Sequence, residues 1–313
     1  MHWQELVLRA GSPTRAKRWL RDGLWWRVLH DVYAPLGTDD DPLLRATALR
    51  RALPPDVALS HRTALWLLGL DVLGDALDVT APRGRRVQAR PGLRVHSALL
   101  TDDVLCELNG LLVVSAARAV VDVLRSEPLV EAVALGDAVL RGGAATAEQV
   151  GDVVAQSRGL RGVLHARRCL PLLDGRSESP MESRLRLRFV LGGIQGIEVQ
   201  RDLYDKDGHL ARADLYVKGV VVEYDGRAAR LDKDVFVRER RRQNRVAAAG
   251  LELRRFTAAD VYLRPAAAVC AELQAAVLLA ARRAPEVRSG PDTLRPPRLR
   301  PLPTLADARR AAA

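Results

Sequence analysis

The chain has 313 residues, 48% of them hydrophobic, and a formal net charge of +11, with an isoelectric point near 10.3. That length accommodates two ordinary domains plus a tail, and the hydrophobic share excludes a disordered chain. The basic balance points to a polyanionic partner such as DNA or RNA. The basic residues are nearly all Arg, with Lys only at 17, 206, 218 and 233; GC-rich coding alone also produces that bias. Cys106, Cys169 and Cys270 form no CxxC pair and no zinc spacing, which suits inert thiols in a reducing cytoplasm. The first residues lack the basic-then-apolar pattern of a signal peptide. Leu111–Leu124 is broken by Arg118 and Asp122, and Ala266–Ala281 by Glu272, so no membrane segment is expected.

Residues 1–175 read as a winged-helix-like, largely helical region. His2–Ala10 is a short helix. Ser12 caps a second helix over Thr14–Asp22, with Pro13 at its first position and Gly23 after its end. Leu24–Tyr33 alternates as a hairpin. The second helix shows Arg15, Lys17, Arg18 and Arg21 outward while Ala16, Trp19 and Leu20 pack. A helix entering the major groove has this pattern, as does an ordinary solvated helix face. Further helices are expected at Pro42–Leu53, Ser60–Leu70, Ser115–Arg125, Pro128–Arg141 and Ala145–Ser157. Short strands are expected at Leu77–Thr80, Leu93–His96 and Leu111–Val114. The basic loop Pro82-Arg83-Gly84-Arg85-Arg86 is suited to phosphate. His61, His96 and His165 have no partners at ligand spacing and read as structural or exposed.

The turn-rich Asp174–Pro180 stretch sets a domain boundary near 175. Residues 176–283 read as helix, three-stranded meander, helix, strand, helix. The first helix starts at Pro180, and Ser179-Pro180-Met181-Glu182 forms a full capping box. Strands follow at Val199–Leu203, Leu210–Val217 and Val220–Tyr224. A long helix, capped by Asp232, ends at Gly250. Then come a strand at Leu251–Phe256 and a helix at Arg264–Arg283. The Pro/Arg-rich residues 284–313 have no apolar period and are expected to be disordered.

The hairpin Ala211–Gly226 concentrates the chemistry. A two-residue Lys218-Gly219 turn pairs Val217 with Val220, which sets Asp214 opposite Glu223 and Arg212 opposite Asp225, all on one face. Two carboxylates ~5 Å apart at an effective dielectric near 20 repel by roughly 3 kcal/mol. A divalent cation held by oxygen ligands offsets that repulsion; so does Arg241 or Arg255 from a neighbouring element. Asp225 with Arg212 also reads as a cross-strand ion pair, and Glu182 as a cap alone. Arg238, Arg241 and Arg242, with Arg240 and Arg245, crowd one helix, suited to phosphate contact or to local pairing such as Glu239 with Arg242.

As an ordered set, Ser179-Pro180-Met181-Glu182-Ser183, Arg212-Ala213-Asp214, Val222–Gly226, Arg238–Asn244 and Gly250–Thr257 resemble the restriction-endonuclease-like, PD-(D/E)xK fold. The branch they resemble is that of the very-short-patch-repair endonucleases. Ser12–Gly23 with Arg27–Tyr33 is similar to the winged helix of the AbiEi antitoxins of abortive-infection systems. The resemblance implies an α+β two-domain chain: a winged-helix-like and helical domain at 1–175, and a nuclease-like core with a mixed sheet flanked by helices at 176–283. It implies Mg²⁺ or Mn²⁺ on Asp214 and Glu223, with Asp225 as third ligand or water-orienting base and Glu182 approaching from the first helix. The family's usual Lys is replaced by Asp225, and the His that commonly follows Asp-Gly in the repair branch is missing from Gly226–Arg230. The expected function is a cytoplasmic, DNA-binding, metal-dependent endonuclease. The alternative is a non-enzymatic, antitoxin-like regulator with a toxin or other protein partner.

Overall fold

Helix termini and turns form where the capping chemistry places them. In the computed structural model, which describes all residues except 30, 41, 71, 73–75, 90, 109, 227–232, 284–286, 291–301 and 313, the chain is α+β with mixed sheets. It divides into two compact units, residues 1–123 with 299–313, and residues 124–298.

The first unit opens with α1 (Trp3–Ala10) and α2 (Pro13–Arg21), the latter capped by Ser12, whose side chain accepts from the Arg15 N–H. A hairpin of β1 (Trp25–Leu29) and β2 (Val32–Pro35) follows. Leu6, Ala10 and Ala16 are buried between these elements against Trp19, Trp25 and Tyr33. Then come α3 (Pro42–Ala52), β3 (Ala58–Leu59), α4 (His61–Leu67), β4 (Leu77–Pro82), β5 (Leu93–Ala98), β6 (Leu105–Leu108), β7 (Leu111–Val114) and α5 (Ala116–Ser126). Five of these strands form one mixed sheet in the order β5-β4-β3-β7-β6. The strands expected at Leu77–Thr80, Leu93–His96 and Leu111–Val114 are β4, β5 and β7, while β3 and β6 lie outside the expectation. β3 spans two residues and β6 four, too short for alternation to show a strand period.

The second unit begins with α6 (Leu129–Gly142), α7 (Ala147–Gln156), α8 (Val163–Cys169) and α9 (Pro180–Leu191). Of these, α6, α7 and α8 lie N-terminal to the boundary expected at 175, and polar bonds join α6 to α9. Arg184 pairs with Glu131 through both carboxylate oxygens at 2.8 and 2.6 Å. Arg186 meets the buried Asp137 at 2.9 Å. The division consequently falls inside α5 at 123/124; a turn-rich linker at 174–180 marks a change of element, not of unit.

Next come β8 (Glu198–Asp205), β9 (Gly208–Val217), β10 (Val220–Tyr224), α10 (Lys233–Ala248), β11 (Glu252–Phe256), α11 (Ala258–Tyr262), α12 (Ala266–Arg283) and β12 (Arg288–Ser289). The sheet order is β11-β10-β9-β8-β12. β8, β9 and β10 form an antiparallel meander, and β11 is parallel to β10. A parallel return needs a crossover, which α10 supplies. The two-residue turn is as expected: Lys218 and Gly219 have φ of 45° and 88°, the positive pair a tight hairpin turn demands. Leu215, Val217, Val220 and Val222 pack with Leu185 and Phe189 of α9 and with Val269 and Leu273 of α12. Val221 joins a second cluster with Val246 of α10 and Leu251.

Of the tail expected to be disordered, residues 284–286, 291–301 and 313 lie outside the described residues, and at 287–290 and 302–312 the expectation needs correction. β12 pairs with β8, and Leu305–Ala312 forms α13. Thr304 and Asp307 cap α13 reciprocally, each backbone N–H donating to the other's side chain at 3.1 Å. Such a box stabilises a short helix that has no apolar period to announce it.

Candidate functional site

Asp214 and Glu182 meet in the second unit. The β9–β10 ladder keeps the expected register through Leu215 and Val222. Past that pair, the Asp214 carboxylate itself accepts the Tyr224 N–H at 2.8 Å. Ser179 Oγ caps α9 by accepting the Glu182 N–H at 3.1 Å. The Glu182 carboxylate does not close the box on Ser179; it accepts the Glu178 N–H and Gln200 Nε2, each at 2.8 Å. Gln200 also acts on Asp214, holding its pKa down, so one amide neighbours both carboxylates. Its φ is 52°, a left-handed conformation that non-Gly residues rarely take. Strain of this kind concentrates at functional sites.

Burial pushes the Asp214 carboxyl up from 3.8 to about 7, and the charges of Glu182 and Glu223 add to the rise. The Tyr224 N–H and Gln200 act the other way without compensating. Desolvation and like charge both disfavour the carboxylate form. The donors here are oxygens, the ligand type that Mg²⁺ or Mn²⁺ prefers.

Glu223 has different surroundings. Arg242 of α10 contacts one of its carboxylate oxygens, and Arg255 of β11 reaches the other at 3.1 Å. Arg212 pairs with Glu178 at 3.1 Å and faces Asp202 of β8 across the ladder. Asp225 donates its backbone N–H to Phe256 O at 2.7 Å. The structure thus gathers Glu182, Asp214 and Glu223, adds Gln200, and sets two guanidinium groups on Glu223. Sequence reasoning missed Gln200 because no pattern marks it. It is a polar residue in a strand, and only the fold reveals that its backbone is left-handed.

The basic residues divide likewise. Arg15, Lys17, Arg18 and Arg21 are all exposed on α2. Arg15 lies over the Trp19 ring at 5.9 Å, while Arg18 and Arg21 both approach Asp22 at 3.3 Å. On α10, Arg240 and Arg241 are exposed, Arg242 holds Glu223, and Arg245 pairs with Asp205 at 2.8 Å. The side chains of Arg238 and Glu239, together with residues 227–232, lie outside the described residues. All three cysteines are buried, and burial raises Cys106 and Cys169 to about 11. No described helix is long and apolar enough to cross a membrane.

A second cluster lies in the first unit. His61, Asp78 and His96 each bring a ligand atom within 4.8 Å of the others, a set with the donors to hold a metal ion. Residues 17 and 18 positions apart carry no ligand-spacing signal; the pairing of β4 with β5 brings Asp78 to His96, and the bond of Ser60 N–H to Asp78 O brings up the start of α4 with His61.

The comparisons with known proteins fall on this architecture. Over 195 residues the chain is 31% identical to the uncharacterized proteins MT2308 and Rv2248, from two strains of Mycobacterium tuberculosis. The match covers 62% of this chain and 70% of each relative. The chain belongs to the family of these proteins. No family model matches it. Among solved structures, the RV2827C protein of Mycobacterium tuberculosis is similar over 59% of this chain and 74% of that one, at 18% identity. Its TM-score of 0.38 is too low for that likeness to carry an argument.

Proposed function

We propose that the chain is a DNA-binding protein whose second unit is a Mg²⁺- or Mn²⁺-dependent endonuclease of the PD-(D/E)xK, repair-endonuclease-like kind. The observation that carries this reading is the meeting of Glu182 and Asp214, two largely buried carboxylates that share Gln200 as a neighbour. When bound, the ion polarises the scissile phosphate and lowers the pKa of the attacking water. Asp214 and Glu182 hold it through oxygen. Gln200 fixes the orientation of both carboxylates. Arg242 and Arg255, already beside Glu223, offer guanidinium donors to a phosphate. Asp225 is the third ligand or orients the water. In the first unit, α2 with its hairpin serves as an AbiEi-like winged helix, and the net charge of +11 favours DNA.

A second reading rests on Glu223. Its contacts with Arg242 and Arg255 occupy a residue that the nuclease family uses as a metal ligand. That favours a degenerate fold in an antitoxin-like regulator with a protein partner. Incubating plasmid DNA with the full chain and Mg²⁺ or Mn²⁺ separates the two. Nicking that disappears in Asp214→Ala and Glu182→Gln supports the enzyme. Retention of DNA in gel shifts, without nicking in either metal, supports the regulator.

A further inference from the structure

We infer that His61, Asp78 and His96 form a binding site for a zinc-class divalent ion in the first unit, independent of the carboxylates of the second. Two imidazoles and one carboxylate suit borderline transition metals and not Mg²⁺ or Ca²⁺. Asp78 is the anionic centre. Its side chain is buried within the sheet, where His96 Nε2 lies 2.9 Å from Oδ1. Strand pairing sets that geometry: β4 and β5 run parallel, with Asp78 beside Arg94 and Thr80 beside His96. Asp78 and His96 therefore lie diagonally on one face. A zinc ion bound at about 2.0–2.1 Å to each ligand spaces them by about 3.3 Å in a tetrahedron, close to the separation already present.

His61 is the third ligand. It opens α4 with φ of 49°, a left-handed conformation unusual for a non-Gly residue. Three hydrogen bonds tie its neighbours Ser60 and Thr63 to β4. The Ser60 N–H donates to Asp78 O at 3.0 Å. The Asp78 N–H donates to Thr63 Oγ1 at 2.7 Å. Thr80 Oγ1 donates to Ser60 Oγ at 2.8 Å. His61 Nδ1 lies 3.0 Å from Ser60 Oγ. A proton on Nδ1 donated to that oxygen makes Nε2 the ligating nitrogen, the outer-shell arrangement typical of metal-bound histidine.

The His61 and His96 rings stack at 3.8 Å with 19° between their planes. A shared ion in the plane of both rings requires one of them to turn. His96 has the room, because its side chain is 28% exposed and lines a cavity with Arg85, Arg86, Val87 and Gln88. Arg94, 3.3 Å from Asp78 and 56% exposed, has solvent to turn into as the cation enters. The cysteines stay out of the site: all three are buried, and Cys106 and Cys169 are held as thiols.

Competition against a chromophoric chelator tests the site on the full chain with Zn²⁺ alone. The expected result is one equivalent bound, weakened by tenfold or more in His96→Gln and in Asp78→Asn. His165→Gln and His209→Gln leave it unchanged; the latter removes another histidine beside a carboxylate, Asp202 at 2.9 Å. Co²⁺ in place of Zn²⁺ gives visible ligand-field bands without thiolate charge transfer, and His96→Gln abolishes them. If Asp78→Asn fails to fold by circular dichroism, the partly exposed His96→Gln decides alone. Absence of binding to the wild type, or undiminished affinity in a folded His96→Gln, overturns the inference.

Discussion

Each of the two five-stranded sheets buries a strand aspartate, and the two are compensated differently. Asp78 in the first unit has cationic or titratable partners, Arg94 and His96. Asp214 in the second has the Tyr224 N–H, the Gln200 amide and the nearby charges of Glu182 and Glu223. Glu223 takes the guanidinium groups that Asp214 lacks. Charge balance within a sheet is therefore a local property. A neighbouring arginine neutralises the carboxylate it reaches and leaves the adjacent one to be protonated or to bind a cation.

The largest effect expected from that contrast is on stability. The folded Asp214 carboxyl titrates at about 7, against 3.8 for its ordinary value. A raised pKa means the folded state binds the proton more tightly, so stability falls as pH rises from about 4 to about 7 and stays low above that. The loss is at most about 4 kcal/mol at 1.36 kcal/mol per pKa unit. Asp214→Asn removes it. Urea unfolding at pH 5 and pH 8 should show a wild type that weakens over this interval and a variant that does not. Millimolar Mg²⁺ should stabilise the wild type at pH 8 and leave Asp214→Asn unmoved; equal stabilisation of both would break the contrast.

Somewhat smaller is the expected loss of cleavage. In the proposed nuclease, ligation of the ion would contribute several kcal/mol to the transition state, so Asp214→Ala should slow plasmid nicking by at least about a hundredfold. Gln200→Ala leaves both carboxylates in place and unoriented. Its rate should fall less, and a Mg²⁺ titration should show weaker binding. A rate unaffected by either change would remove the carboxylates from the chemistry.

Much of the second unit is legible from sequence because its signals are local. The Lys218-Gly219 turn, the Ser179 cap and the Val217–Val220 register follow from neighbouring residues. So does the sharing of one region by Asp214 and Glu223. What the sequence conceals is long-range. Gln200 acquires its role from a backbone angle, and Arg242 finds Glu223 across 19 positions in place of the expected Arg241, beside the expected Arg255. In the first unit concealment is greater. A two-residue β3 and a four-residue β6 leave no period, and the His61–Asp78–His96 cluster exists only once β4 and β5 are paired. The reciprocal Thr304–Asp307 cap was readable and was masked by the Pro/Arg composition around it.

Glu223→Gln sharpens the comparison from the other side. It leaves Arg242 and Arg255 without the carboxylate that joins them, a partly exposed network whose disruption costs about 1–3 kcal/mol in stability. If Glu223 serves chiefly to anchor the two arginines, cleavage in the folded variant falls in step with the loss of folded protein, and Mg²⁺ affinity is retained. If Glu223 is a metal ligand that releases its arginines when DNA arrives, Mg²⁺ affinity falls as well. Isothermal titration with Mg²⁺ separates the two.

The smallest effects belong to α2, where exposure makes charge cheap to remove. Arg15→Ala and Lys17→Ala should change stability by no more than about 0.5 kcal/mol. If α2 lies against DNA, each should lower the slope of log affinity against log salt by about 1. Arg18 and Arg21 share Asp22 as a neighbour, so part of their charge is already balanced and Arg18→Ala should change the slope less than Lys17→Ala. Equal slopes for all the variants and the wild type would move the DNA contact off this helix. The exposed Arg240 and Arg241 of α10 would then be the next positions to neutralise, because their charge lies in the unit that carries the carboxylates.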